Sequence, residues 1–540
     1  MYQVKLEKSY FPAQTNLAVE EKTVGEVLSE AASRDPDRTA LVELIDDGTT
    51  GRKWCYQKLY DEALLVARFL ASHFKAGQRV AVWAPNSPEW VIVEFACAFA
   101  GLTLVTVNPA FQPKELKYVL DQSRASGIIY LNEYRGNPMG QILKSVTDEM
   151  ENELSSFVIT DIIDLAKNAY EKGETNEPLP EVKPTDIAQI QYTSGTTGFP
   201  KGALLYHRGL VNNSRHLFKC SGIEEKSRYL TMWPLFHTAG CSASVLGCVQ
   251  QSMTNYIMPI FIPDALNRVI EEEKINASGG VPTMVTAMLE SNRQKPRDFS
   301  SLTYFFGAGS MVSPELSRAT YEAWNLNLCI IYGQTEAHPV ITMTIKSDTL
   351  IDRTQTIGQP AEQTDVAIMD PESKEIMPLD VQGEICCRGY LVMPGYNDNP
   401  QATAETIDEE GWLHTGDLGS MDARGYIKIT GRVKEMIIRG GENLFPAEIE
   451  NTLLEHADVA EVTVVGLPDD KFGEIVGAFI RLKEGASADA DMLKAHCRSE
   501  MSAQKTPAVW QFVDAFPLTG SGKIKRFELR DQWIKENKSE

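Results

Sequence analysis

An α/β fold is what this sequence predicts, with a large N-terminal part of layered, mostly parallel sheets and helices and a small α+β C-terminal part. Three observations carry that expectation. Helical periodicity alternates with short apolar runs from about residue 24 to 170, the pattern of βαβ units. The chain has 540 residues, more than one compact core holds, so two or more domains follow. Near residue 430 the pattern changes to shorter strands and helices, in a stretch long enough for a core of its own.

Taken in order, residues 59–74 read as an amphipathic helix. Arg79-Val80-Ala81-Val82-Trp83 reads as a strand that ends at a Pro-Asn turn. Residues 87–99 read as the next helix and Thr103-Leu104-Val105-Thr106-Val107 as the next strand. The apolar stretch 90–107 carries Glu94 and several small residues, so it is interrupted before membrane-span length. Residues 173–184 are a polar connection into a strand where Ala188, Ile190 and Tyr192 alternate with Gln189 and Gln191, as if one face were buried. Further on, Tyr426-Ile427-Lys428-Ile429 alternates as a strand, and Thr430-Gly431-Arg432-Val433-Lys434-Glu435 reads as a polar connector. Beyond it come a helix at 447–454, strands at 461–465 and 478–482, and a helix at 488–501.

Composition narrows the function classes. The hydrophobic fraction of 43% and the charged fraction of 23% are those of a soluble globular protein. The net charge of −22 disfavours nucleic-acid binding and anionic membrane surfaces, but a local basic site can still hold an anionic substrate. Nine cysteines are scattered without a Cys-x-x-Cys pair, and Cys386 and Cys387 are adjacent. This is the usage of a reducing compartment, and a cytoplasmic location is expected. The first twenty residues lack the apolar core of a secretory signal.

The segment Tyr192-Thr193-Ser194-Gly195-Thr196-Thr197-Gly198-Phe199-Pro200-Lys201-Gly202 sets four Ser/Thr hydroxyls, three glycines and one lysine directly after a strand. Glycines let backbone N–H groups turn inward, hydroxyls add donors and lysine adds a point charge, so the segment suits a polyphosphate. No Gly-Lys pair is followed by Ser or Thr here or at Gly522-Lys523-Ile524, so it is not a Walker P-loop.

Further segments follow in order: Trp233-Pro234-Leu235-Phe236-His237-Thr238-Ala239-Gly240, Tyr332-Gly333-Gln334-Thr335-Glu336, Gly411-Trp412-Leu413-His414-Thr415-Gly416-Asp417, Gly431-Arg432-Val433-Lys434-Glu435 and Pro517-Leu518-Thr519-Gly520-Ser521-Gly522-Lys523-Ile524. Together with the Gly/Thr loop, essentially the whole chain resembles the adenylate-forming superfamily of acyl-CoA synthetases, peptide-synthetase adenylation domains and firefly-type luciferases. The resemblance implies an ATP-dependent acid–thiol ligase that makes an acyl-adenylate, then an acyl-CoA, with release of pyrophosphate and AMP. It also implies an N-terminal domain over 1–433 and a mobile C-terminal lid over 434–540, hinged at Lys434.

Carried over by the resemblance, Thr193, Ser194, Gly195, Thr196, Thr197 and Lys201 hold the β- and γ-phosphates. Tyr332 stacks on adenine beside Gly333, with Gly307 and Ala308 also in the nucleotide site. Thr335 bonds the α-phosphate and Glu336 ligates Mg²⁺. Asp417 accepts from the ribose hydroxyls with help from Arg432. Lys523 reaches the α-phosphate and the substrate carboxylate. Gly440, Gly441 and Glu442 line the thiol channel for CoA. His237, Ala239, Gly240, Gly280, Gly309 and His338 surround the acyl group. His414 is expected to be structural.

Amino-acid-activating relatives carry an acidic residue near the start of the segment beginning at Trp233, and this chain has none there. Small residues then favour an apolar acid, with a medium-chain or other fatty acid preferred over an aryl acid. Free CoA is the expected acceptor, since no segment with a phosphopantetheine serine follows Lys523. Carrier-protein loading and a non-catalytic binding relative are the alternatives, and a homodimer is left open.

Overall fold

The structure is a computed structural model that describes residues 2–150, 153–175, 178–193, 200–309, 312–440, 442–469, 471–520 and 522–537. The described strands form four sheets. The first has the order Ser155–Val158, Gly127–Tyr130, Arg79–Trp83, Thr103–Val107, Ile187–Thr193, Lys201–Tyr206, and only its last pair is antiparallel. The expected helices lie at Tyr56–His73 and Pro88–Phe99. The second is capped by Ser87, whose side chain accepts from the Trp90 amide, with proline in the first turn. It is buried on all faces, which explains its almost unbroken apolar sequence.

The second sheet has nine strands. Its parallel core runs Leu328–Gly333, Tyr304–Gly307, Ala277–Gly280, Arg228–Thr231, Thr254–Ile257, Thr39–Leu44. Antiparallel strands flank that core on both sides. The third sheet, Tyr10–Phe11, Thr364–Met369, Gly383–Gly389, Leu413–Met421, Ile427–Arg432, is antiparallel throughout. From Thr364 onward its strands follow one another directly, except that the short helix Pro400–Thr406 lies between Gly383–Gly389 and Leu413–Met421, so parallel pairing is not imposed on them.

The fourth sheet holds Glu442–Leu444, Ile437–Arg439, Gly473–Leu482 and Val459–Asp469, with Val509–Phe512 added to Gly473–Leu482. Helices Pro446–Leu454, Ala490–Glu500 and Arg526–Asn537 accompany it. Ile449, Leu453, Val464, Val476, Ile480 and Leu493 make a separate core there.

Two local expectations are corrected. Gln189 and Gln191 are as buried as their apolar neighbours, so this strand has two covered faces. Gln189 donates to Glu94 at 2.8 Å and Gln191 donates to Gln189 at 2.7 Å, which satisfies the amides inside. The strand Ile427–Arg432 also runs through Thr430, Gly431 and Arg432, because Gly431 and Arg432 pair with Leu418 and Asp417. All nine cysteines are free thiols. Among the described residues, no helix is long and apolar enough to cross a membrane.

Candidate active site

The site grows from the C-terminal ends of neighbouring parallel strands. Ala277–Gly280, Tyr304–Gly307 and Leu328–Gly333 lie side by side, with Gly280 opposite Gly307 and Gly307 opposite Ile330. Ligands of open α/β sheets collect at such strand ends. The chain emerging there carries Ala308, Gly309, Thr335 and Glu336. Gly333 is required by packing: a Cβ would stand 1.8 Å from the Pro339 carbonyl oxygen. Gly333→Ala is therefore expected to lower the unfolding temperature by several degrees, an overpacking cost of about 1–3 kcal/mol. An unchanged thermal transition would contradict this.

Asp417, on the third sheet, is the hub of a buried polar cluster. Its Oδ1 accepts from Arg432 Nε at 2.6 Å and its Oδ2 accepts from the Tyr332 hydroxyl at 2.9 Å. Asp417 is buried while half of the Arg432 side chain is exposed. Arg432 is the cross-strand partner of Asp417, so the antiparallel register itself sets the pair. The Asp417 charge raises the Arg432 pKa further.

Lys523 enters from the C-terminal part. A turn holds it: Thr519 N–H donates to the Lys523 carbonyl at 2.7 Å, and Lys523 N–H donates to Thr519 Oγ1 at 3.0 Å. Gly522 takes a φ of +82° in that turn, a conformation suited to glycine. The turn docks on the N-terminal part, where Thr283 Oγ1 donates to the Gly522 carbonyl at 3.0 Å. Gly520 leaves room only for Asn108, whose Nδ2 would lie 2.4 Å from a Cβ there. Lys523 Cε stands 3.4 Å from where a Gly309 Cβ would be. Burial and the Arg432 charge lower the ammonium pKa, while Asp417 and Glu336 oppose that shift. The side chains of Lys523, Asp417 and Glu336 thus converge from three segments far apart in sequence.

Glu336 is buried, and its Oε1 accepts from the Tyr396 hydroxyl at 2.7 Å. Lys201 Nζ sits 5.0 Å from the centre of the Tyr396 ring. Tyr396 links the acid of one predicted segment to the lysine of another, and sequence reasoning missed it. Thr193 and Lys201 face each other across the mouth of a hairpin. Ser194, Gly195, Thr196 and Thr197 lie outside the described residues.

His237 precedes the π-helix Ala239–Leu246, which is buried from Gly240 onward. Burial and the Lys523 charge hold its pKa down to about 3, so the imidazole is neutral. Gly240 packs on the Pro234 carbonyl, where a Cβ would come within 2.2 Å. Gly280 faces Met232 and Met284, an apolar surround.

His338 departs from expectation. Its φ of 63° turns the chain away, and its ring packs on Gly209. Its Nδ1 lies 2.6 Å from the Leu391 carbonyl and its Nε2 accepts from Tyr206 N–H at 3.2 Å. Both nitrogens are committed to backbone, so His338 is a clamp between segments and not a wall of the acyl pocket. Burial holds His338, His207 and His216 each at about 4, against 6.5 in an unfolded chain. The unfolded state binds more protons below 6.5, so stability is full above that pH and is lost as pH falls toward 4. The unfolding temperature is expected to fall between about pH 6.5 and 5, above the carboxylate range. A flat profile in that window would contradict it.

Lys434 occupies a single turn, Val433–Glu435, between the third and fourth sheets. Gly440, at a φ of +60°, lies against Phe472, and Glu442 begins the strand Glu442–Leu444. Gly441 lies outside the described residues.

Comparisons with known proteins bear on the family and the fold. The family model described as AMP-binding enzyme matches residues 28–397, and that of the AMP-binding enzyme C-terminal domain matches 448–523. The medium-chain acyl-CoA ligase ACSF2, mitochondrial, of Rattus norvegicus is 36% identical over 554 residues, covering 97% of this chain and 89% of that protein. The ATP-bound MatB crystal structure from Rhodopseudomonas palustris superposes with a TM-score of 0.84 at 25% identity, covering 95% of this chain and 99% of the other. The o-succinylbenzoate CoA synthetase MenE of Bacillus subtilis, with its acyl-adenylate intermediate, gives 0.79 at 25% identity and the same coverage.

Proposed function

The chain belongs to the AMP-binding enzyme family, and on that premise we propose that it is an ATP-dependent, AMP-forming acyl-CoA ligase for a medium-chain or other fatty acid. The observation that carries this is that Lys523, on a turn docked at Thr283 and with its Cε beside Gly309, meets the charges of Asp417 and Glu336. The medium-chain preference has support from the ligase relative's name and from the apolar Met232 and Met284 beside Gly280. An aryl acid is the second reading, favoured by the o-succinylbenzoate enzyme among the structural relatives.

In this reading Asp417 and Arg432 hold the ribose, Tyr332 stacks on the adenine beside Gly333, Gly307 and Ala308, and Thr193 and Lys201 grip the pyrophosphate side. Thr335 bonds the α-phosphate. A carboxylate oxygen of the acid attacks the α-phosphorus, the bond from that phosphorus to the bridging oxygen breaks, and pyrophosphate leaves. Lys523 offsets the repulsion of the two anions by bonding to both. The CoA sulfur then attacks the activated carbonyl carbon, the acyl–oxygen bond breaks, AMP leaves and the thiol proton goes to solvent. His237, uncharged, lets the acyl group lie beside it without a competing cation.

Glu336 suits Mg²⁺: one carboxylate oxygen is bonded by Tyr396, and a hard oxygen donor remains. The ion would neutralise phosphate charge when bound. Lys434 is proposed as the hinge between a domain over 1–433 and a lid over 434–540, with Gly440, Gly441 and Glu442 admitting the thiol arm. The free thiols support a reducing compartment such as the cytoplasm. Acid-dependent exchange of pyrophosphate into ATP tests the first half-reaction. Exchange with no acid of an alkanoic and aryl panel would favour the binding-relative reading.

A further inference from the structure

Asp417 sits in an irregular stretch of the third sheet. Glu384 pairs with Leu418 and Cys386 with His414, so Thr415, Gly416 and Asp417 together face Ile385 alone. Gly416 adopts a φ of +73° to make this excursion. Backbone groups in such a bulge lose their ladder partners and need others.

The partners are specific. Gly416 N–H donates to Glu384 Oε1 at 3.0 Å. Thr415 Oγ1 donates to the Ile385 carbonyl at 2.7 Å and accepts from Asp417 N–H at 3.1 Å. The second Glu384 oxygen lies 2.7 Å from His414 Nδ1, and His414 Nε2 lies 3.3 Å from Asp408 Oδ2. Lys374 Nζ is 3.9 Å from the same Glu384 oxygen, and the Cys386 thiol is 3.3 Å from His414 Nδ1. Glu384 is buried, so its carboxylate is held in one orientation by the backbone on one side and the imidazole on the other.

We propose that Glu384, clamped by His414, is a positioning residue that closes this bulge and so aims Asp417 at the nucleotide ribose. It touches no reacting atom and acts through Gly416 and Asp417. This rests on Asp417 being the ribose acceptor. The Glu384 hydrogen bond raises the His414 pKa, which strengthens the clamp at neutral pH. The same side chains with Cys386 bring metal-ligating atoms within 4.8 Å of one another. However, two ligands of one tetrahedral zinc stand roughly 3.4 Å apart, and the 2.7 Å Glu384–His414 contact is a direct hydrogen bond. No ion fits between them.

The test is a double-mutant cycle of Glu384→Ala and Asp417→Asn on the full chain, reading kcat and the KM values for ATP, acid and CoA. Glu384→Ala should raise KM for ATP roughly tenfold, as loss of a charged hydrogen bond does. It should leave kcat and KM for the acid within about twofold. The double variant should be no worse than Asp417→Asn alone. Glu384→Gln, whose amide oxygen still accepts from Gly416 N–H, should recover most of the loss. Thr415→Val disturbs the same bulge and should give the same selective shift, which keeps the test open if Glu384→Ala fails to fold. Equal effects of Glu384→Ala with and without Asp417, or a loss in kcat alone, would overturn the proposal. If Asp417→Asn itself leaves KM for ATP unchanged, the ribose assignment fails instead.

Discussion

Lys523→Ala is expected to slow acyl-adenylate formation on the order of 10²–10³-fold, the cost of removing one donor aimed at developing charge. The geometry makes the loss selective. The turn around Lys523 is held by Thr519, Thr283 and the close fit of Gly520 on Asn108, none of which needs the lysine side chain. The fold and the docking of the turn should therefore survive. What disappears is a buried ammonium that faces Asp417, Glu336 and His237 together. Pyrophosphate exchange should collapse, while CoA-dependent consumption of a supplied acyl-adenylate should stay within a few-fold of the parent. A loss below about fivefold in exchange would remove Lys523 from its role.

Asp417→Asn is expected to raise KM for ATP on the order of 10²-fold with a smaller change in kcat. The amide has nearly the same shape, so packing is preserved. But one of its two groups becomes a donor, and Asp417 now accepts from both Arg432 and Tyr332. An Asn side chain cannot accept at both positions, and the Arg432 charge loses its buried counter-ion. Breaking a buried pair by removing one partner costs about 3–5 kcal/mol, and half of the Arg432 side chain reaches solvent, which reduces that cost here. Steady-state kinetics with varied ATP decides it; an unchanged KM for ATP would contradict the assignment.

Much of this architecture was legible in the residues because it rests on local periodicity. The strand Arg79–Trp83 and the helix Pro88–Phe99 follow from short apolar runs separated by a Pro-Asn turn. The third sheet was legible only in part, at the alternation of Ile427, Lys428 and Ile429. Thr430, Gly431 and Arg432 are polar enough to read as a connector, and only pairing with Asp417 and Leu418 makes them a strand. The site divides the same way. Glu336, Asp417 and Lys523 sit in segments whose composition and order carry the family resemblance. Tyr396 and Glu384 do not: each acts on a residue distant in sequence, Glu336 and Gly416, and nothing in their own neighbourhoods announces it. His338 misled because it lies two residues beyond Glu336, and its left-handed backbone sends the ring into the protein.

The ligase reading is tested most directly by incubating the protein with ATP and a panel of alkanoic and aryl acids, then adding CoA. Acid-dependent pyrophosphate exchange is expected first, strongest with medium-chain acids, followed by AMP release that requires CoA. Exchange absent for every acid, or AMP release indifferent to CoA, would contradict it.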